Sequence, residues 1–204
     1  MSEQKMWQIE QECREKGYEI ICGVDEAGRG PLAGPVCAAA VILPPDIEIP
    51  GLNDSKKLSD KKRRELYPVI KELAIAYSIA LVDHETIDRI NILQATLSAM
   101  EQAISGLNVK PDLALIDGNR EKDFGVPCKT VVHGDSLSAS IAAASVLAKV
   151  TRDDVMLALS QEYPGYGFEI HKGYGTKAHY EALSINGPCP IHRMTFLKKL
   201  YGTK

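Results

Sequence analysis

Three short apolar runs that stop at or just before an acidic residue constrain this chain more than any other feature. Residues 18–24 (YEIICGV) lead into Asp25 and Glu26, residues 112–116 (DLALI) lead into Asp117, and residues 129–132 are followed by His133, Gly134 and Asp135. Short apolar runs bounded by turn signals read as buried strands. Aspartate and glutamate are poor strand residues, so each acid marks the place where a strand gives way to a loop. Adjacent side chains on a strand point to opposite faces; Asp25 and Glu26 therefore reach one site only if the strand ends there, and Ala27-Gly28-Arg29-Gly30 supplies the break.

Around these runs the pattern alternates. A polar helix is expected over about residues 2–17, a second apolar run over 36–43 and a third over 74–82. Ser59 is placed to cap a helix reaching about Leu73, with a kink or early stop at Pro68 because proline removes a ladder donor. Leu93, Leu97, Met100, Ile104 and Leu107 recur at helical spacing and end near Gly106. Asp135 is placed to cap a long helix carrying Leu137, Ile141, Ala144, Ala148, Val155 and Leu159, and two short helical patterns close the chain. Strands joined by short loops pair antiparallel and strands reached through helices are more often parallel. The expected architecture is a mixed sheet covered by helices.

With 204 residues and 45% hydrophobic side chains the chain supports one ordinary core, and a single domain over 1–204 is expected. No run of about 18 apolar residues exists and the N-terminus is too polar for a secretory signal, so a cytoplasmic protein without a membrane span is expected. The five cysteines form no C-x-x-C pair, which argues against zinc and a disulfide framework. A formal charge of -3 disfavours a polyanionic partner until it is divided. Residues 1–50 carry -5, residues 51–160 carry -1, and residues 161–204 carry +3.

The acids have bland readings as well as functional ones. Asp135 has the position of an N-cap, and Asp117 in IDGN that of a strand-to-turn aspartate. If all four converge, the cluster must either raise its pKa values by mutual repulsion or bind cations. Hard oxygen donors favour Mg2+ or Mn2+, and paired ions of this kind serve phosphoryl transfer. The loop AGRGPLAGP lacks the Gly-Lys-Ser/Thr ending of a P-loop, and Pro31 and Pro35 interrupt any dinucleotide-binding helix. What remains is a turn whose amides and Arg29 can approach a phosphate or hydroxyl closely.

Six ordered motifs, CGVDEAGRGPLAGPV, DSKKLS, INILQATL, LIDGN, HGDSLSASIAAASVLAKVTRD and HKGYGT, resemble those of ribonuclease HII, the type 2 ribonuclease H family, from about residue 20 to about 180. The resemblance implies a ribonuclease H-like α/β fold, a mixed sheet of three antiparallel strands plus parallel strands flanked by helices. It carries the family's four acids onto Asp25, Glu26, Asp117 and Asp135 as catalytic residues and ligands of two Mg2+ or Mn2+ ions. It implies hydrolysis of the RNA strand of RNA/DNA hybrids and nicking 5′ of ribonucleotides embedded in duplex DNA, by in-line water attack leaving 3′-hydroxyl and 5′-phosphate ends. Contact with the 2′-hydroxyl, the group that distinguishes the two sugars, carries over to Gly28-Arg29-Gly30, and packing on the sugar beyond the scissile phosphate to Tyr174. Lys56 carries over as a substrate contact. The segment from about residue 161 is expected to bind substrate, and the protein to act as a monomer on nucleic acid.

Lys61, Lys62, Arg63 and Arg64 extend the basic run, for which a solvated helix face is the bland reading. Asn91, Ser136 and Lys149 lie in the same motifs with roles left open. A different metal-dependent nuclease or resolvase of the same fold would place acids alike, although DEAGRG and HKGYGT argue against it. A non-catalytic nucleic-acid binding module would not need four acids beside phosphate.

Overall fold

The apolar runs form one five-stranded sheet in the order β3-β2-β1-β4-β5. The computed structural model describes residues 6–120 and 122–202, so positions 2–5 of the expected N-terminal helix and the last two residues of the C-terminal segment lie outside the described residues. β1 (Ile21–Ala27), β2 (Val36–Ile42) and β3 (Ala76–Val82) are antiparallel neighbours, while β4 (Leu113–Asp117) runs parallel to β1 and β5 (Cys128–Val131) parallel to β4. β3 is reached through helix α2 (Asp60–Leu73) yet is antiparallel, because α2 packs along another helix, α4 (Ala139–Glu162), instead of crossing the sheet.

Each strand sorts its side chains by parity. In β2, Cys37, Ala39 and Val41 face α4, and Val36, Ala38, Ala40 and Ile42 face α3 (His84–Ser105). Gly23 fixes the height of α4: a Cβ there would lie 2.1 Å from the Ser140 carbonyl carbon. The start of α4 therefore rests directly on β1, which brings the turn before it to the end of that strand.

Several local expectations change. β1 starts at Ile21 and not at Tyr18, because the Asp112 carboxylate accepts the amides of Glu19 (2.8 Å) and Ile20 (3.0 Å) and holds them out of the ladder. Its other end runs on through Asp25 and Glu26 to Ala27, paired with Ala39, Ala38 and Cys37. Pro68 does not stop α2, which continues to Leu73; Pro68 is exposed, so the carbonyl it leaves without a donor faces water. α3 begins earlier than the Leu93 stripe and breaks at Asn91 (φ 67°, ψ 163°), whose Oδ1 accepts the amides of Leu93 and Gln94 and restarts the helix.

The N-terminal helix α1 (Gln8–Arg14) is shorter than expected and firmly attached: Glu10 is buried and accepts from Ser138 Oγ (2.6 Å) and the Ser140 amide (3.0 Å). At the other end, α5 (Phe168–His171), α6 (Lys177–Asn186) and α7 (Lys198–Tyr201) bring Phe168, Leu183, Ile191 and Leu197 against Leu32, Ala33 and Met156. That cluster lies beneath the glycine-rich loop between β1 and β2.

Candidate active site

Asp25 lies near the end of β1 and Asp117 ends the neighbouring parallel strand β4, and Asp135 arrives from the turn before α4. Each of the three offers one carboxylate oxygen within 4.8 Å of the other two. Asp25 is 3% exposed and Asp135 4% exposed. The structure releases Asp135 from the capping role open to it in the sequence. Ser138 caps α4 instead, accepting the Ile141 amide, while Asp135 sits in a 3-10 turn with its carboxylate turned into the cluster. Asp117 Oδ1 accepts the Gly134 amide at 2.7 Å and so ties that turn to β4.

Glu26 points to the other face of β1, as parity requires once the strand continues past it. It lies outside the three-carboxylate cluster, pairs with Arg29 at 3.5 Å, and lines a shallow groove with Arg29, Leu93, Asp117, Asn119 and Arg120. Burial, then repulsion from Glu26 and Asp117, pushes the Asp25 carboxyl well above the usual aspartate range. Burial likewise raises Glu26 against the pull of Arg29, and raises Asp135 against the pull of Lys56. Buried carboxylates that resist ionising together, with hard oxygen atoms converging on a common point, fit a divalent cation.

Lys56 sits on the rim, its Nζ 3.2 Å from Asp135 Oδ2 and its side chain 75% exposed. Its ammonium is held above the usual lysine range because, although burial opposes it, Asp135 and Asp25 favour the charge. Lys57 donates to Ser136 Oγ at 3.0 Å, and Arg63, read from sequence as a solvated base, donates inward to the carbonyls of Ser55 (2.7 Å) and Leu58 (2.5 Å). Arg64 pairs with Asp60 and Asp154. The DSKKLS loop is thus fixed from both ends beside Asp135.

The Gly28-Arg29-Gly30 turn follows Ala27 at the end of β1, with Arg29 and Gly30 exposed and Gly28 buried. Gly28 has φ +99°, and a Cβ there would meet Arg152 Cδ at 2.3 Å and Pro35 O at 2.9 Å; at Gly30 a Cβ would meet only Tyr174 Cε1, at 3.8 Å. Tyr174, 40% exposed, therefore edges the turn, with Lys149 Nζ 5.8 Å and the Arg152 guanidinium 5.7 Å from its ring centre. Lys149 also pairs with Asp153 at 2.7 Å.

Two residues absent from the sequence reading hold this turn. Arg193, fully buried, donates to the carbonyls of Gly28 (2.7 Å), Arg29 (3.0 Å), Pro31 (2.9 Å), Gly34 (2.9 Å) and Pro35 (3.1 Å). All five guanidinium N–H groups are used. Arg152, also buried, donates to Ala33, Pro35 and Lys172 carbonyls and so joins the turn to the Tyr174 loop. The nearest sequence signals were the RD that ends one motif and the net positive last segment, neither of which indicates burial.

The Ribonuclease HII family model matches residues 22–199. The chain is 59% identical to a ribonuclease HII of Endomicrobium trichonymphae over 182 residues, 89% of this chain and 87% of that protein. It is 54% identical to the Geobacter metallireducens ribonuclease HII over 196 residues, 96% of this chain and 92% of the relative. Among solved structures, ribonuclease H2 from Pyrococcus horikoshii superposes with a TM-score of 0.71 at 27% identity, covering 87% of this chain and 93% of that one. A mixed sheet with acids at its strand ends, matched by the family model from β1 to α7, establishes that this chain belongs to the ribonuclease HII family.

Proposed function

We propose that Asp25, Glu26, Asp117 and Asp135 hold two Mg2+ or Mn2+ ions beside the Gly28-Arg29-Gly30 turn, and that the chain nicks duplex DNA 5′ of an embedded ribonucleotide. Family membership makes the chain a metal-dependent ribonuclease that hydrolyses the RNA strand of RNA/DNA hybrids. The observation that carries the finer reading is the convergence of Asp25, Asp117 and Asp135 on one point beside a glycine-flanked turn edged by Tyr174. Bound cations supply Lewis acidity and lower the pKa of water.

The residues of this chain do the positioning. Asp117 and Asp135 are locked to each other through the Gly134 amide, and Lys56 offers the nearest mobile positive charge for a phosphate oxygen at the rim. Arg29 and Gly30 present backbone groups to the 2′-hydroxyl, and Tyr174 packs on the following sugar. As water oxygen joins phosphorus, the bond to the 3′ oxygen of the preceding nucleotide breaks. That oxygen keeps the electron pair and takes a proton, leaving 3′-hydroxyl and 5′-phosphate ends with no covalent protein intermediate.

We further propose one domain over 1–204 in which the segment from about 161 grips substrate, working as a cytoplasmic monomer. The packing of that segment under the reading turn supports this, and among the described residues no helix is long and apolar enough to cross a membrane.

A DNA duplex with one ribonucleotide, incubated with Mg2+ or Mn2+, is expected to give a single nick on the 5′ side of that residue. Equal cutting of an all-DNA duplex, or none with either metal, would refute the proposal. The two glycines of the turn should separate fold from recognition. Gly28→Ala meets both a positive φ and Arg152, so it should cost at least about 1–3 kcal/mol in denaturant unfolding. Gly30→Ala has room, so its melting temperature should match the parent while cleavage at the ribonucleotide falls; unchanged cleavage would remove Gly30 from the contact.

A further inference from the structure

Beside the Tyr174 carbonyl, His179 and His192 are buried at 0% and 1% exposure and bring their Nε2 atoms to 3.0 Å. Their surroundings fix where each proton sits. His179 Nδ1 lies 3.0 Å from the Tyr174 carbonyl, which can only accept, so Nδ1 carries a hydrogen and Nε2 of the neutral ring accepts. His192 Nδ1 faces both the Cys189 amide (2.9 Å) and the Cys189 carbonyl (3.2 Å), and because His179 Nε2 is an acceptor at 3.0 Å, the hydrogen of neutral His192 is on Nε2 and Nδ1 accepts from the amide. The bonds run in one direction: Cys189 N–H to His192, His192 Nε2–H to His179, and His179 Nδ1–H to Tyr174 O.

We propose that His179 and His192 are positioning residues whose ordered neutral pair sets the backbone of Tyr174, and with it the ring that meets the sugar. The inference rests on Tyr174 as a substrate contact. A proton gained by His179 makes both facing Nε2 atoms donors, and at 3.0 Å they must part; one gained by His192 goes to Nδ1, against the Cys189 amide. Burial opposes that gain: it lowers His179, and it lowers His192 to about 4 despite the favourable Cys189 carbonyl. The titratable groups facing the pair are His171, stacked on His179 with ring centres 4.5 Å apart, the Cys189 thiol at 3.1 Å from His192 Nδ1, and His84, whose charge opposes protonation of His192. Tyr166 and Phe168 close the apolar side. Arg193, next in sequence to His192, turns its guanidinium to the reading turn, so one short segment serves both recognition loops.

Two substitutions at His179 separate the donor from the bulk. Asparagine places an N–H near the position of Nδ1 and retains the bond to Tyr174 O, whereas glutamine reaches toward His192 and loses it. On the single-ribonucleotide duplex, His179→Gln is expected to lower kcat about tenfold with KM changed less than about twofold, the cost of a displaced contact. His179→Asn should stay within about threefold of the parent although both variants melt at similarly reduced temperatures. Rates that follow melting temperature, with Asn as impaired as Gln, would overturn the pair as a positioning device. If His179→Gln does not fold, His192→Gln, which keeps a donor toward His179, is compared with His192→Leu, which does not. Parental kcat in the leucine variant is then the refuting result. Tyr174→Ala serves as the control: parental kcat there overturns the sugar contact itself, whereas an impaired alanine variant beside a normal His179→Gln overturns the relay alone.

Discussion

Asp25→Asn is expected to remove catalysis and, in metal-free protein, to stabilise the fold. The carboxyl is 3% exposed, and burial together with Glu26 and Asp117 raises its pKa well above the aspartate range. A raised pKa means that the folded state binds the proton more tightly than the unfolded chain. The stability this provides is complete below the unfolded value of about 3.9 and is lost as pH rises through the folded pKa. At neutral pH the metal-free parent therefore carries a penalty that it lacks in acid. Asparagine keeps an oxygen for the Glu26 amide, now at 2.7 Å, and carries no charge. A gain of about 1 kcal/mol, or about 2–4 °C in melting temperature, is expected at pH 7 in the presence of a chelator. The gain should vanish near pH 4, where the parent carboxyl is itself neutral.

Adding Mg2+ or Mn2+ should reverse the ranking at pH 7, raising the parent's melting temperature more than the variant's. Turnover of the variant should fall about a thousandfold or more, the upper range for one electrostatic group acting on a transition state. A variant that melts below the parent without metal would mean that the carboxylate is compensated inside the protein. Near-parental turnover would remove Asp25 from the ligand set.

What could be read beforehand divides along the range of the interactions involved. Acids at strand ends are a local pattern, so Asp117 and Asp135 were legible from a few flanking residues. A mixed sheet followed from the order of apolar runs, but not its pairing: β3 is antiparallel to β2 although reached through a helix, and β5 parallel to β4 with none between them among the described residues. Asp135 was ambiguous because a cap and a ligand occupy the same place in sequence; Ser138, three residues on, resolves it by taking the cap. The break at Asn91 was invisible because the apolar stripe legible in sequence begins only at Leu93, beyond it. Glu26 was legible as an acid, but its placement was not. Its identity marks a strand end, but pairing with Ala38 extends β1 past it and sends its side chain to the opposite face from Asp25. Arg193 lay furthest from view. Its partners are 158 to 165 residues away, and the charge count placed it among surface bases available to a duplex.

Arg193 should instead behave as the keystone of the reading turn. Removing its guanidinium orphans four carbonyls that point inward from Gly28, Arg29, Pro31 and Gly34, and leaves that of Pro35 to Arg152 alone. The charge itself is costly to bury: desolvation, aggravated by Arg152, pulls its pKa down to about 9. A buried charge of this kind is retained for geometry, since a shorter apolar chain would fill the space but not bind the carbonyls. Arg193→Met is expected to lose about 3–5 kcal/mol in denaturant unfolding, the range for breaking a buried charged network. Arg193→Lys provides the sharper comparison, because an ammonium offers three donors where the planar fork offers five. It should recover part of the stability while cleavage at a single ribonucleotide stays at least about tenfold below the parent, as a displaced turn requires. The isolated bridge between Ala33 and His192, with the Leu32 carbonyl accepting the Arg193 amide, ties the same loop by backbone alone. If the lysine variant cleaves at the parental rate, those backbone bonds suffice to shape the turn, and the guanidinium contributes stability without recognition.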